Sequence, residues 1–304
     1  MKKILVTGSN GLLGQKLTDI SICDEEIELV ATSVGANRHP VRSGYVYEEF
    51  DIRDADRLIE LVEKYRPDAI INTAAMTNVD TCESERELCE ALNVVAVAKL
   101  VSVCEKYNIH LVQISTDFIF DGEDGPYSED AEPNPLSYYG RTKLEAENLL
   151  KTSTSRWAIL RTIIVYGIVS DMSRSNIVLW AKGALEKGAP INVVNDQWRM
   201  PTLAEDLALG CILAAKKEAE GVFNISGKDM MSILEIVERV ADFYGLDKSL
   251  INPISAESLN QSARRPRRTG FLLDKAVGQL GYQPRSFQEG IEVLDMQLKQ
   301  RKIF

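Results

Sequence analysis

The sequence feature that most constrains the fold lies at the N-terminus, where a short apolar run leads into three evenly spaced glycines. Ile4–Thr7 has the composition of a buried strand, and an apolar helical pattern follows the glycines. The residues between them are Gly8-Ser9-Asn10-Gly11-Leu12-Leu13-Gly14. Glycines in such a turn let the backbone approach a pyrophosphate, and the helix N-terminus supplies N–H groups and a positive dipole end. The spacing is one residue longer than the usual fingerprint, but its place in the first βα unit predicts a dinucleotide-binding fold.

Alternating apolar runs and amphipathic segments continue this pattern through the first half of the chain. Several runs are apolar without alternation, which is typical of parallel strands covered on both faces. We therefore predict an α/β fold, a Rossmann-like doubly wound parallel sheet with a smaller α/β C-terminal substrate domain. The predicted NAD(P)-binding domain spans 1–165, a mainly substrate-binding domain spans 166–304, and the chain returns to the sheet near 203–227. The predicted strands of the first domain are Ile4–Thr7, Ile27–Ser33, Val46–Phe50, Ala69–Thr73, Leu111–Ser115 and Ala158–Thr162.

Composition and charge exclude several classes of protein. The net charge of -10 argues against a nucleic-acid partner, because phosphate affinity comes from clustered Lys and Arg. No stretch approaches the roughly 20 apolar residues of a membrane span, so no membrane partner is expected. The five cysteines are scattered without metal or redox spacing, which favours reduced thiols and a cytoplasmic location. With only two histidines in the chain, we expect no metal site.

The end of the second strand bears on the choice of cofactor. NAD-preferring enzymes carry an acidic residue there that binds the ribose 2′-hydroxyl. In this chain the strand ends at Ser33, with Arg38 just beyond, and these side chains would suit a 2′-phosphate. We therefore predict NADPH, with NADH as the alternative, and a solvated loop position for Arg38 is the competing interpretation. The other predicted cofactor contacts are Gly8, Asn10, Gly11, Leu12, Gly14, Asp51, Ile52, Ala74, Ala75, Thr77, Ser115, Tyr139 and Lys143.

A tyrosine and a lysine four residues apart supply the catalytic hypothesis. Tyr139 and Lys143 would share one face of a helix, and an ammonium near a phenol is expected to lower the phenol pKa. Such a tyrosine can exchange a proton with a carbonyl oxygen as hydride arrives at the carbon. The spacing alone also occurs by chance on exposed helices.

A hydroxyl pair at the end of the fifth strand strengthens the catalytic hypothesis. Ser115 and Thr116 fall at the carboxyl edge of the predicted sheet, where α/β ligands bind. We assign Thr116 the role of polarising a substrate carbonyl, with Ser115 as the near alternative. Capping of the strand end is the structural alternative for both residues.

These motifs together resemble the extended short-chain dehydrogenase/reductases, and more narrowly dTDP-4-dehydrorhamnose reductase and its relatives. The likeness rests on the glycine loop, Asn72–Ala75, the run from Ser115 to Gly122 and the Tyr139/Lys143 pair, and it covers nearly the whole chain. It implies NADPH- or NADH-dependent reduction of a 4-keto sugar nucleotide, with Thr116, Tyr139 and Lys143 as the catalytic set. The resemblance also implies a homodimer and a supporting role, through water, for Asn93. Substrate contacts expected on this basis are Val79, Thr116, Asp117, Phe118, Ile164, Arg199 and Arg265.

Three departures from that family bear on the substrate. Ile164 stands where rhamnose-forming members carry a Trp, and Arg199-Met200 replaces a small pair that is often Gly-Ser. The residues that follow Arg265-Pro266 also differ from the family pattern. These departures resemble the regulatory beta subunit of methionine adenosyltransferase, which acts mainly through a partner but carries Ser where Thr116 stands.

A cluster of arginines stands out on this acidic chain. Guanidinium groups suit the diphosphate of a sugar nucleotide, and a solvated loop is an equal alternative. The members of the cluster are Arg264, Arg265, Arg267 and Arg268.

Our prediction for the function is an NADPH-dependent reductase of a nucleotide-linked 4-keto-6-deoxy sugar. The alternatives are a non-catalytic NADP-binding regulatory subunit and a sugar-nucleotide epimerase.

Overall fold

The computed structural model describes residues 1–170, 172, 175–259 and 261–301. Residues 171, 173, 174, 260 and 302–304, all in the predicted substrate domain, lie outside this description. The strands are β1 Lys2–Thr7, β2 Ile27–Ser33, β3 Val46–Glu49, β4 Ala69–Asn72, β5 His110–Thr116, β6 Trp157–Thr162, β7 Val165–Tyr166, β8 Ile191–Val194, β9 Trp198–Arg199, β10 Thr202–Leu203, β11 Gly221–Asn224, β12 Met231–Ser232 and β13 Ile251–Ile254. Within the described residues, seven parallel strands form one sheet in the order β11-β6-β5-β4-β1-β2-β3. The α-helices are α1 Leu12–Ser21, α2 Ala55–Tyr65, α3 Val79–Ser84, α4 Arg86–Glu90, α5 Ala96–Tyr107, α6 Tyr138–Lys151, α7 Ile177–Glu186, α8 Ala204–Lys217, α9 Ile233–Tyr244 and α10 Phe287–Arg301.

The central strands are buried on both faces, which confirms the predicted doubly wound fold. Ile4 and Val6 of β1 pack into the core beside α1 and α8, whereas Leu5 faces the core beside α2 and α5. Successive side chains of a strand point to opposite faces, so a strand covered on both sides is apolar throughout. This burial explains the absence of alternation in the sequence.

The strand order creates a crevice at one edge of the sheet. β1 pairs with β2 on one side and with β4 on the other, so the winding of the sheet reverses at β1. In open α/β sheets, ligands bind at this switch point, outside the carboxyl ends of the strands. The glycine loop after β1 and the hydroxyl pair at the end of β5 both lie at this edge.

The chain leaves the sheet after β6, returns, and leaves again. The short pairs β7–β10, β9–β12 and β8–β13 lie outside the main sheet, with α7, α9 and α10 around a separate apolar core. Between these segments α8 packs on α1, and β11 pairs in parallel with β6. The predicted boundary between the two domains at residue 165 stays a prediction.

The amphipathic segment Leu88–Tyr107 does not form one continuous α-helix in the structure. A π-helical turn over Ala91–Val95 separates α4 from α5. It contains Asn93, whose side chain accepts from the Met76 N–H at 2.9 Å and donates to the Met76 carbonyl at 3.0 Å. Inserted turns of this kind commonly accompany functional sites. The turn ties the segment after β4 to the helices that cover the sheet.

Helix α6 begins where it does because of a cap and a close contact. The Ser137 hydroxyl accepts from the Gly140 N–H at 3.2 Å and so satisfies one free donor of the first turn. A Cβ at Gly140 would overlap the carbonyl oxygen of Phe118. The absence of a side chain therefore lets α6 dock directly on the turn that follows β5.

Two helical glycines allow a matched test of this docking. Gly140→Ala should destabilise the protein by roughly 1–3 kcal/mol, because the methyl group overpacks against Phe118. Gly183→Ala in α7, where a Cβ meets nothing within 4 Å, should instead stabilise it by about 0.5–1 kcal/mol. Urea unfolding of both variants gives the two free energies. Equal effects of the two substitutions would contradict this account of α6.

Candidate active site

A cleft with a volume of about 760 Å³ runs along the carboxyl edge of the sheet. Its size lies within the range of ligand-binding sites. Most of the predicted site residues line it, whereas Asn93, Arg199 and Arg265 do not. The predicted residues in its walls are Gly8, Asn10, Gly11, Leu12, Gly14, Ser33, Arg38, Asp51, Ile52, Ala74, Ala75, Thr77, Val79, Ser115, Thr116, Asp117, Phe118, Tyr139, Lys143 and Ile164.

The glycine loop forms a cradle at one end of the cleft. Gly8 has a φ of +70°, and a Cβ there would lie 2.8 Å from Thr73 Oγ1 and 2.9 Å from the Ala74 nitrogen. A Cβ at Gly14 would overlap the carbonyl oxygen of Gly8. Helix α1 starts at Leu12 without a side-chain cap, so its first N–H groups can serve a ligand. Close backbone approach and a helix N-terminus together fit the pyrophosphate of a dinucleotide.

Asn10 holds the loop that carries Arg38. Its side-chain nitrogen donates to the Ala36 carbonyl at 3.0 Å, and its oxygen accepts from the Arg38 N–H at 2.8 Å. These bonds place the exposed Arg38 side chain in the cleft wall, near Ser33 at the end of β2. The asparagine of the glycine loop thus positions the predicted 2′-phosphate contact.

Arg53 is a cleft residue that the sequence reasoning missed. Its guanidinium pairs with Asp51 at 2.6 Å and holds the pKa of that carboxyl below its ordinary value. Both residues line the cleft where the adenosine of a dinucleotide would lie. The sequence position of Arg53, two residues after Asp51 and just beyond β3, could have identified it as a candidate site residue.

Thr116 serves both as a cap and as a cleft residue. Its hydroxyl accepts from the Phe118 N–H at 3.2 Å, which caps a short 3₁₀ turn, and donates to Asp117 Oδ1 at 3.1 Å. Thr116 also lies in the cleft wall. The capping alternative is therefore observed, and the catalytic assignment of Thr116 stays a prediction.

Tyr139 and Lys143 are buried one helical turn apart on α6. The Lys143 ammonium donates to the Ile114 carbonyl at 2.7 Å, and burial lowers the pKa of Lys143 to about 8. Burial also raises the pKa of Tyr139 above its ordinary value, an effect that the hydrogen bond with Thr116 opposes. The expected lowering of the Tyr139 pKa by Lys143 is therefore wrong for this structure. Both residues are buried, and burial penalises the charged form of each.

Arg199 lies behind the cleft rather than in it, contrary to the substrate contact that we predicted. The residue is 1% exposed, and its guanidinium donates to the carbonyls of Trp198 at 2.7 Å and Pro266 at 2.6 Å. Its Nε lies 3.6 Å from Asp117 Oδ2, which also accepts from the Thr269 hydroxyl. Burial raises the pKa of Asp117, and the Arg199 charge opposes this rise. Arg199 thus compensates the carboxylate that faces the cleft.

Arg265 and Asn93 also act one layer behind the cleft. Arg265 pairs with Asp80 at 2.5 Å, which holds the pKa of Asp80 at about 2. The pair anchors α3, whose first residue Val79 is in the cleft wall. Asn93 donates to the Thr142 hydroxyl at 3.2 Å and so links the Met76 backbone to α6. The other arginines of the cluster have exposed side chains.

Ile164 adopts an uncommon backbone conformation in the cleft wall. Its φ is +33°, a region that β-branched residues rarely occupy. The Thr202 N–H lies 3.2 Å from the carbonyls of both Ile163 and Ile164 and supports the bend. Strain of this kind persists where surrounding contacts hold it, often at ligand sites. Other cleft residues absent from our prediction are Thr7, Leu13, Val34, Phe50, Arg53, Asn72, Thr73, Leu88, Leu92, Ile114, Thr162, Val165, Gly167, Val169, Ser175, Asn176 and Leu207.

The described residues contain neither a metal-binding cluster nor a helix that could span a membrane. In that part of the chain, no group of three or more His, Cys, Asp or Glu side chains is arranged to hold a metal ion. None of the helices described there is both long and apolar enough to cross a membrane.

The fold and the site together define a class of protein. A doubly wound sheet, a glycine cradle after β1 and a buried Tyr-x-x-x-Lys pair beside a strand-end threonine are those of the extended short-chain dehydrogenase/reductases. The model of one family, described as the RmlD substrate binding domain, matches residues 1–299, and the chain belongs to that family.

Individual relatives differ in their described roles. The probable low-salt glycan biosynthesis reductase Agl14 of Haloferax volcanii is 31% identical over 301 residues, covering 95% of this chain and 96% of that protein. Methionine adenosyltransferase 2 subunit beta of Xenopus tropicalis is 30% identical over 268 residues, covering 86% and 78%. Among solved structures, the dTDP-4-dehydrorhamnose reductase of Bacillus anthracis strain Ames in complex with NADP superposes with a TM-score of 0.82. It is 25% identical and covers 98% of this chain and 100% of that chain.

Proposed function

We propose that this protein is an NADPH-dependent reductase of a nucleotide-linked 4-keto-6-deoxy sugar. The observation that carries the proposal is the buried group of Thr116, Tyr139 and Lys143, which shares one cleft with the glycine cradle. Proton donor and dinucleotide cradle thus face a common space. Relatives that are described as reductases, including Agl14, support the reaction class.

The walls of the cleft support the choice of cofactor. The glycine loop and the N-terminus of α1 would hold the pyrophosphate, and Arg38 would bind a 2′-phosphate. β2 ends in Ser33 without a carboxylate, and the Bacillus anthracis relative was solved with NADP. When bound, NADPH supplies the hydride that a carbonyl carbon accepts.

The buried residues would supply the proton. Because burial raises its pKa, Tyr139 stays protonated at neutral pH and can donate its phenolic proton to the carbonyl oxygen. The Lys143 ammonium, one helical turn away on α6, is mostly charged below its pKa of about 8. Thr116 can turn its hydroxyl from Asp117 to the same oxygen and polarise it. Each alcohol formed therefore takes its proton from Tyr139.

The substrate end of the cleft supports a deoxysugar. Val79, Phe118 and Ile164 give it an apolar wall, which suits a methyl group better than a hydroxymethyl group. The segment that carries the exposed arginines approaches this end, since the Thr269 hydroxyl bonds Asp117. Guanidinium groups on that segment would suit the diphosphate of a sugar nucleotide. Assembly as a homodimer stays a prediction.

A regulatory subunit is the second candidate. The likeness to methionine adenosyltransferase 2 subunit beta favours it, as do Ile164 and Arg199 in place of the reductase pattern. Thr116 favours the enzyme, because the regulatory branch that the sequence resembles carries serine there. A cofactor-binding protein without turnover would be the outcome that supports this second candidate.

Replacement of Tyr139 by phenylalanine tests the proposed reaction. Tyr139→Phe removes only the phenolic hydroxyl, so turnover should fall by roughly 10²–10⁴-fold, while NADPH still binds. The measurement is NADPH oxidation, followed by absorbance, with dTDP-4-keto-6-deoxyglucose generated in place. Tyr138→Phe is the matched control, because Tyr138 does not line the cleft and its hydroxyl donates to Glu90 of α4. Full turnover by Tyr139→Phe would show that another group donates the proton.

Replacement of Arg38 tests the predicted choice of cofactor. Arg38→Ala should weaken NADPH binding by roughly 10-fold or more, the value of a charge-assisted bond to a phosphate. NADH lacks the 2′-phosphate, so its affinity should change little and serves as the internal control. Fluorescence titration with each cofactor gives both affinities. An equal loss for the two cofactors would mean that Arg38 does not distinguish them.

A further inference from the structure

A fully buried carboxylate lies one helical turn beyond Lys143, in a position that our sequence reasoning did not single out. Glu147 has no exposed surface and shares a face of α6 with Lys143. Its Oε1 accepts from the Ser115 hydroxyl at 2.6 Å and from Arg161 Nε at 2.9 Å. Its Oε2 accepts from Arg161 Nη2 at 2.8 Å and from Lys151 Nζ at 3.0 Å. A buried charge must be paired and hydrogen-bonded to be stable in the interior, and Glu147 has four such donor contacts.

The partners of Glu147 connect it to the strands beneath the catalytic residues. Ser115 of β5 and Arg161 of β6 stand opposite each other in the parallel register. Arg161 is buried as well, and its Nη1 donates to the Glu129 carbonyl at 2.9 Å. One carboxylate thus joins α6, β5 and β6 next to Ile114 and Thr116. Ile114 provides the carbonyl that binds the Lys143 ammonium.

Glu147 also compensates the charge of Lys143. Burial lowers the pKa of Lys143, and the Glu147 carboxylate opposes this effect, followed by a weaker contribution from Cys89 on α4. The charged groups that face Glu147 in turn are Arg161 from β6 and Lys151 from its own helix. The carboxylate is therefore the main group that favours a charged Lys143.

We propose that Glu147 is a positioning residue of this site, which fixes the end of β5 through Ser115 and places a buried carboxylate one helical turn from the Lys143 ammonium. The catalytic part of this inference rests on the proposed reductase function. The effect on the protonation of Lys143 does not, because it follows from the packing of α6 on β5 and β6.

The test substitutes Glu147→Gln, which keeps the size of the side chain and removes its charge. The fall of kcat/KM at high pH should move to lower pH by roughly one to two units, because a unit charge one helical turn away is lost. The Lys143 ammonium should lose its proton at a pH lower by the same amount. NMR of protein labelled at the lysine ε-carbon measures this directly, with Lys143→Arg to assign the signal. Glu145→Gln, the same substitution at an exposed position of α6, should leave both titrations unchanged.

Two further variants separate charge from folding. Glu147→Gln leaves Arg161 buried without its partner, so Glu147→Gln with Arg161→Met removes both charges if the single variant does not fold. This double variant should shift the Lys143 titration in the same direction but by less, because the loss of the Arg161 charge partly offsets the loss of the carboxylate. Glu147→Asp keeps the carboxylate and should hold the Lys143 titration near that of the wild type.

Each outcome then decides the inference. A folded Glu147→Gln or double variant with an unchanged Lys143 titration overturns it, since Glu147 would then be a structural residue only. A lower kcat with an unmoved pH profile also overturns it. If the wild type shows no turnover, the proposed reductase function fails, and the Lys143 titration alone still supports or overturns the effect of Glu147 on Lys143.

Discussion

The burial of one ammonium group, that of Lys143, is the constraint on which the rest of the site depends. A charged amine in the interior needs an acceptor and a nearby carboxylate. The Ile114 carbonyl supplies the acceptor at 2.7 Å, and Glu147 supplies the opposing charge. Both are available because α6 docks closely on the carboxyl end of β5, where Gly140 has no side chain to hold the helix away. The same docking places Tyr139 next to Thr116.

A second buried charge shapes the substrate end of the cleft. Asp117 directly follows Thr116, and Arg199 and Thr269 compensate its charge from segments far along the chain. The Arg199 side chain therefore links the turn after β5 to β9 and to the arginine-bearing segment. Family members with a small residue at that position would lack this link. This difference lies at the proposed substrate end of the cleft.

Local patterns in the sequence were sufficient for the sheet and the dinucleotide end. The apolar runs of β1 and β2, and the glycines between β1 and α1, depend on neighbours a few residues away. The i, i+4 spacing of Tyr139 and Lys143 is local as well. Glu147 and Arg161 could not be paired from the sequence, because they meet only when α6 lies across β6. The role of Arg199 was misjudged for the same reason, since its acceptors Pro266 and Arg267 belong to a distant segment. The rise in the pKa of Tyr139 could not be predicted from residue spacing either, because it depends on burial in the folded protein.

The most direct test of the central claim follows the transferred hydrogen itself. NADPH carrying deuterium at C4 of the nicotinamide is mixed with the protein and a nucleotide-linked 4-keto-6-deoxy sugar, and the product is analysed by mass spectrometry. The account predicts one deuterium at sugar C4 for each NADPH consumed, and deuterium incorporation roughly 10²–10⁴-fold slower with Tyr139→Phe than with the wild type. Tight NADPH binding without deuterium in any sugar would contradict a reductase and favour the regulatory subunit.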